Sequence, residues 1–192
     1  PGSFIEYGAL AIAAQRKRKY GMDFDPDTEV LVTVGASEAI AAAVLGLVEP
    51  GSDVMLIEPA FDTYAPVIAM AGSNRVTVPL VPDGRGFALD VDALRAALTP
   101  RTRAIIVNSP HNPTGMVFTE LDWQALADLV QRHGLFCISD EVYEHMVFDG
   151  RVAQSARQYP ALAERRFIVS SFGKTFHVTG WKLGYFTATN LL

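Results

Sequence analysis

The sequence predicts an α/β fold of three layers, a mostly parallel sheet with helices on both faces. Three observations lead there. Short β-rich apolar runs recur along the chain, longer segments with helical spacing separate them, and 49% of the 192 residues are hydrophobic while only 19% are charged. Strand–helix–strand alternation builds parallel sheets covered on both sides, whose buried strands read as continuous apolar runs. A chain of this length supports one sizeable core.

Taken in order, the basic run Arg16-Lys17-Arg18-Lys19 ahead of Tyr20-Gly21 reads as a solvated helix C-terminus, where cations complement the helix dipole. Residues 29–34, 54–57, 104–107, 135–139 and 167–170 read as buried strands, each bounded by Gly, Pro, Asp or Asn. Residues 37–48, 64–71, 89–98 and 120–133 carry helical spacing. Pro50-Gly51 and His133-Gly134 stop two of these helices, and Asp90 and Thr119 are N-cap residues for the other ends. Asp83-Gly84-Arg85-Gly86 is a turn on an excursion at the sheet edge.

A net charge of −5 leaves no basic footprint for nucleic acid. The single cysteine, Cys137, sits in the apolar run Leu135–Ile138. It can build neither a disulfide framework nor a zinc site, so no metal is expected and a reducing cytoplasm is. No apolar stretch has the length of a membrane span, and no signal peptide precedes the first strand. The opening Pro1-Gly2-Ser3 reads as a cut from a longer chain.

In a sheet of this kind ligands bind beyond the carboxyl ends of the strands, and unusual polar residues collect there. After the first strand, Gly35-Ala36-Ser37 enters a helix. Small residues, first-turn N–H groups and a hydroxyl suit an anion such as phosphate, although a tight turn with an ordinary Ser cap has the same look. After the second, Phe61 could stack on a flat ring or simply pack in the core. After the third, Asn108-Ser109-Pro110-His111-Asn112-Pro113-Thr114-Gly115 is stiffened by two prolines, and a rigid loop aims the Asn112 amide well. After the fourth, Asp140 ends a central strand, where a carboxylate is costly unless paired; a pyridinium nitrogen would pair it, and helix capping is the bland alternative. Tyr143, three residues on, shares its face if a helix starts there. After the fifth, Ser171-Phe172-Gly173-Lys174 puts an amine at the end of an apolar strand, a placement suited to a Schiff base with an aldehyde. Lys182, in a Gly-flanked segment, offers a second positive charge for phosphate.

In order and spacing, Asn-Pro-x-Gly (Asn112 to Gly115), Asp-x-x-Tyr (Asp140 to Tyr143) and Ser-x-x-x-Lys (Ser170 to Lys174) resemble the large domain of fold type I pyridoxal-phosphate enzymes, specifically class I/II aminotransferases. The resemblance runs from Pro1 to about Ala188, and the text looks most like bacterial N-succinyldiaminopimelate aminotransferases and glutamine/kynurenine transaminases. It implies that Lys174 holds pyridoxal 5'-phosphate as a Schiff base and later acts as general base. It also implies that Asp140 pairs with the pyridine N–H, that Asn112 and Tyr143 hydrogen-bond the phenolic oxygen, and that Phe61 stacks on the ring. The phosphate would lie on Gly35-Ala36-Ser37, with Ser171 and Lys182 completing its ligands. Lys182 departs from the arginine many relatives carry, replacing a bidentate clamp with a point charge.

The resemblance further implies that residues 1–192 are a large domain without the N-terminal arm and C-terminal small domain. Thr187–Leu192 would stop where a helix toward that small domain begins. The implied activity is amino-group transfer between an amino acid and a 2-oxo acid in a cytoplasmic homodimer. Cysteine-conjugate C–S β-elimination on the same residues is one alternative, and a ligand-sensing domain of a transcription regulator is another. The acidic balance and the lack of a basic helix–turn–helix speak against the regulator.

Overall fold

A computed structural model describes residues 3–189. Helix α1 (Phe4–Tyr20) leads into strand β1 (Val30–Val34) and helix α2 (Gly35–Leu47). Then come β2 (Asp53–Glu58), α3 (Tyr64–Met70), β3 (Asn74–Pro79), and the short pair β4 (Val81–Pro82) and β5 (Phe87–Ala88). The chain continues through α4 (Val91–Ala96), β6 (Thr102–Asn108), α5 (Glu120–His133) and β7 (Phe136–Asp140). It closes with β8 (Arg166–Ser171), α6 (Phe172–Thr175) and β9 (Leu183–Ala188). The expected helix beyond residue 189 lies outside the described residues.

The main sheet has the order β1-β9-β8-β7-β6-β2-β3. All neighbours from β8 to β3 pair in parallel, and β9 runs antiparallel to both β8 and β1. Because successive strand residues point to opposite faces, each apolar strand feeds two cores. Met55, Ile57, Ile105, Val107, Cys137 and Ile168 face a core closed by α4, α5, Phe118 and Trp123. Val54, Leu56, Ala104, Ile106, Ile138, Val169 and Phe186 face the core closed by α2 and α3. Helix α1 covers Val30, Val32 and Tyr185, so it lies across the sheet from α2. Cys137 is buried, as the apolar run around it predicts.

The predicted caps are in place. Thr119 forms a reciprocal capping box with Asp122, and Asp90 accepts from the Ala93 N–H at 2.8 Å. The 83–86 turn joins the β4–β5 ribbon, apart from the main sheet. Strands β3 and β9 have no counterpart among the predicted elements. The first is a largely exposed edge strand, and the second depends on long-range antiparallel pairing. The basic run also needs correction. It does end α1, but Arg16 is 2% exposed and paired with Glu144, from the turn after β7.

Candidate active site

The parity that divides the core also builds the site. Ile106, Ile138 and Val169 face the α2 side, so Asn108, Asp140 and Ser171, two positions further along their strands, face it too. There, at the carboxyl ends of the parallel strands, a cavity of about 460 Å³ opens, within the usual range of roughly 300–1,000 Å³ for small-molecule sites. All the site residues predicted from the sequence line it: Gly35, Ala36, Ser37, Phe61, Asn112, Asp140, Tyr143, Ser171, Lys174 and Lys182.

At one end, β1 turns directly into α2. Gly35 has φ +76°, a region that favours glycine, and the helix starts there, two residues earlier than the periodicity suggests. Its N-cap is Val34, with no side-chain cap, so Ser37 is not the capping serine of the bland alternative. The first turn of α2, whose N–H groups have no partner within the helix, lines the cavity together with Ser171 and Lys182. This approach depends on Gly184 in β9. A Cβ there would lie 2.6 Å from the Ala36 nitrogen and overlap the Gly35 backbone.

Asp140, 3% exposed, forms the floor. Its Oδ2 accepts from the Tyr64 hydroxyl at 2.6 Å and its Oδ1 from the Val142 N–H at 3.2 Å. Both donors are neutral. Burial pushes the Asp140 carboxyl up to about 6, partly countered by these two hydrogen bonds. Residues 142–145 form a turn rather than a helix, so Asp140 is not a helix cap. Lys174 Nζ lies 5.7 Å from the Tyr143 ring centroid.

Asn108 is a site residue that sequence reasoning missed. Its Nδ2 donates to the Asp140 carbonyl at 2.9 Å, and its Oδ1 accepts from the Asn112 N–H at 2.7 Å. It thus ties the Pro-stiffened loop to the strand that carries the carboxylate. Tyr64 is a second such residue, legible in the sequence only as the start of a helix. Its ring packs edge-on against Phe61 at 5.7 Å, so one residue orients both the aromatic wall and the carboxylate floor. The signal for Asn108 was available, since it is an amide at the same strand-end position as Asp140 one strand over.

The arrangement can hold a flat anionic ring whose nitrogen is cationic. The helix terminus, Ser171 and Lys182 suit the anion, the buried carboxylate suits the nitrogen, and Lys174 supplies a nucleophilic amine.

A family model described as aminotransferase class I and II matches residues 9–191. A Mycobacterium tuberculosis protein named "Probable N-succinyldiaminopimelate aminotransferase DapC" is 63% identical over 175 residues, 91% of this chain and 44% of that protein. The methionine aminotransferase of Escherichia coli is 44% identical over 93% of this chain and 46% of its own length. The solved N-succinyldiaminopimelate aminotransferase from Mycobacterium tuberculosis superposes with a TM-score of 0.94 at 59% identity, covering 99% of this chain and 49% of that one. The chain spans less than half the length of the curated relatives it matches.

Proposed function

Because the chain belongs to the class I and II aminotransferases, a family that uses pyridoxal phosphate, we propose that it is the cofactor-binding large domain of a transaminase that moves an amino group between an amino acid and a 2-oxo acid. The observation that carries this reading is Asp140, a buried carboxylate held only by neutral donors, in one cavity with Lys174. A carboxylate so placed needs a cation, and a protonated ring nitrogen provides one.

Bound pyridoxal phosphate supplies an aldehyde for amines and a ring that accepts electron density from the substrate's α-carbon. Lys174 Nζ would hold the cofactor at its aldehyde carbon, with water released, and as a free amine would be the base for the substrate α-proton. The Asp140 carboxylate would keep the ring nitrogen protonated. Asn112 and Tyr143 would donate to the phenolic oxygen, and Phe61 would bound the ring face. The N–H groups of Gly35, Ala36 and Ser37, with Ser171 and Lys182, would hold the phosphate.

The relative at 63% identity supports N-succinyldiaminopimelate as the substrate to test first. In this reading the whole protein is a cytoplasmic homodimer, and segments beyond this large domain complete the substrate site. The test is product analysis with the whole protein, N-succinyldiaminopimelate and 2-oxoglutarate. Glutamate and the matching oxo acid formed in equal amounts are expected. Ammonia and pyruvate released from a cysteine conjugate, with no amino-group transfer, would overturn the reading in favour of β-elimination.

A further inference from the structure

Three buried carboxylates, Asp140, Glu141 and Glu144, occur within five residues starting from the last residue of β7, and of these only Asp140 lines the cavity. Glu141 is held on one side by the Ser139 hydroxyl at 2.9 Å, the Ser155 hydroxyl at 3.1 Å and the Ala156 N–H at 2.9 Å. Glu144 is held on the other. The Arg16 guanidinium grips it as a fork, with NH1 to Oε2 at 2.8 Å and NH2 to Oε1 at 3.1 Å. Ser170 donates to its Oε1 at 3.1 Å, Lys19 to its Oε2 at 3.4 Å, and the Tyr20 hydroxyl to the same oxygen. The Arg16 NH2 also donates to the Tyr185 hydroxyl at 2.7 Å, and His145 lies at the rim, 3.9 Å from Glu144.

Every partner of Glu144 adjoins a site segment or comes from α1. Ser170 precedes Ser171, and Tyr185, the second acceptor of Arg16, follows Gly184 and packs on Phe172, two residues before Lys174. Glu144 itself follows Tyr143 in a turn closed by only two backbone bonds, from the Glu144 N–H to the Glu141 carbonyl at 3.0 Å and from the Met146 N–H to the Tyr143 carbonyl at 2.7 Å. Burial opposes both charges. Tyr185 and Glu144 outweigh it to raise Arg16 above its ordinary value, while Arg16 and Tyr20 hold Glu144 below its own.

We infer that the Arg16–Glu144 fork is a positioning device for Tyr143: α1, through Arg16, fastens the turn behind the site so that the Tyr143 phenol is aimed at the cofactor. This rests on the proposed role of Tyr143 toward the phenolic oxygen. A planar guanidinium fixes both oxygens of its carboxylate, which a lysine ammonium does not.

The test compares whole-protein variants loaded with pyridoxal phosphate, following the bound cofactor's absorption as pH is titrated. The variants are Tyr143→Phe, Arg16→Lys, and the apolar pair Arg16→Met with Glu144→Leu, since well-packed apolar replacement of a buried ion pair is often tolerated. Tyr143→Phe should shift the midpoint by about one pH unit, equivalent to roughly 1.4 kcal/mol between protonation states. The apolar pair should shift it in the same direction, and adding Tyr143→Phe to it should give no further shift. If the apolar pair does not fold, Arg16→Lys carries the same comparison. An unchanged midpoint in a folded, loaded fork variant, while Tyr143→Phe shifts it, would overturn the positioning role alone. An unchanged midpoint in Tyr143→Phe would overturn the reading of Tyr143 and the fork's role with it.

Discussion

The Tyr64 hydroxyl donates to Asp140 Oδ2 at 2.6 Å, a contact between residues 76 positions apart. It joins α3 to the end of β7 and leaves the second carboxylate oxygen to the Val142 N–H. The Tyr64 hydroxyl is itself held well above its ordinary pKa, by burial and by the adjacent Asp140 charge, so it stays a donor.

Tyr64→Phe is therefore expected to weaken cofactor binding while keeping the edge-on packing against Phe61. A hydrogen bond to a charged group contributes roughly 1.5–3 kcal/mol, and each decade in affinity corresponds to about 1.4 kcal/mol. Fluorescence titration should thus show affinity falling about tenfold to a hundredfold. Unchanged affinity would mean that Asp140 does not need this donor.

Stability measured without cofactor should depend on Asp140 ionisation. Its carboxyl is raised from 3.8 to about 6 by burial, so the folded state binds the proton more tightly than the unfolded state does. The stability this group contributes is full below about pH 3.8 and is lost as pH rises through about 6, a change of roughly 3 kcal/mol. Glu141, pushed up to about 7 by burial, adds a loss of the same sign that extends further. Urea unfolding across this range should show stability falling with pH, and Asp140→Asn should remove the Asp140 share between about pH 3.8 and 6 while leaving that of Glu141. Parallel curves for the two proteins would contradict the burial of an uncompensated carboxylate.

Gly184→Ala should damage the anion turn specifically. The added Cβ meets the Gly35 and Ala36 backbone, which has no flexible side chain to yield. Overpacking of this kind costs about 1–3 kcal/mol, and here the displaced groups are the proposed phosphate donors. Cofactor affinity should drop at least about tenfold. Gly180→Ala, where a Cβ meets nothing within 4 Å, is the control and should bind as the parent does.

Much of the fold and site was legible because local signals agreed with the global fold. Strands β6, β7 and β8 are apolar runs, and each ends in a polar residue that faces the cavity, Asn108, Asp140 and Ser171. Asp140, Asn112 and Lys174 stand out as residue types that strand ends do not ordinarily need. What stayed hidden depends on partners far away in sequence. Arg16 reads as one cation of a solvated run because Glu144 is 128 residues distant. Tyr64 reads as a helix residue because nothing local reveals its bond to Asp140. Strand β9 has an apolar run, Leu183–Ala188, but its identity as the antiparallel member between β1 and β8 comes only from pairing.

The central claim is that Lys174 is the amine that joins the cofactor. The most direct test is borohydride reduction of the pyridoxal-phosphate-loaded protein, followed by peptide mapping. The account predicts a pyridoxyl group on the peptide carrying Lys174, and its loss in Lys174→Ala. Label mainly on Lys182, or on Lys17 and Lys19 at the end of α1, would contradict it, as would undiminished labelling in Lys174→Ala.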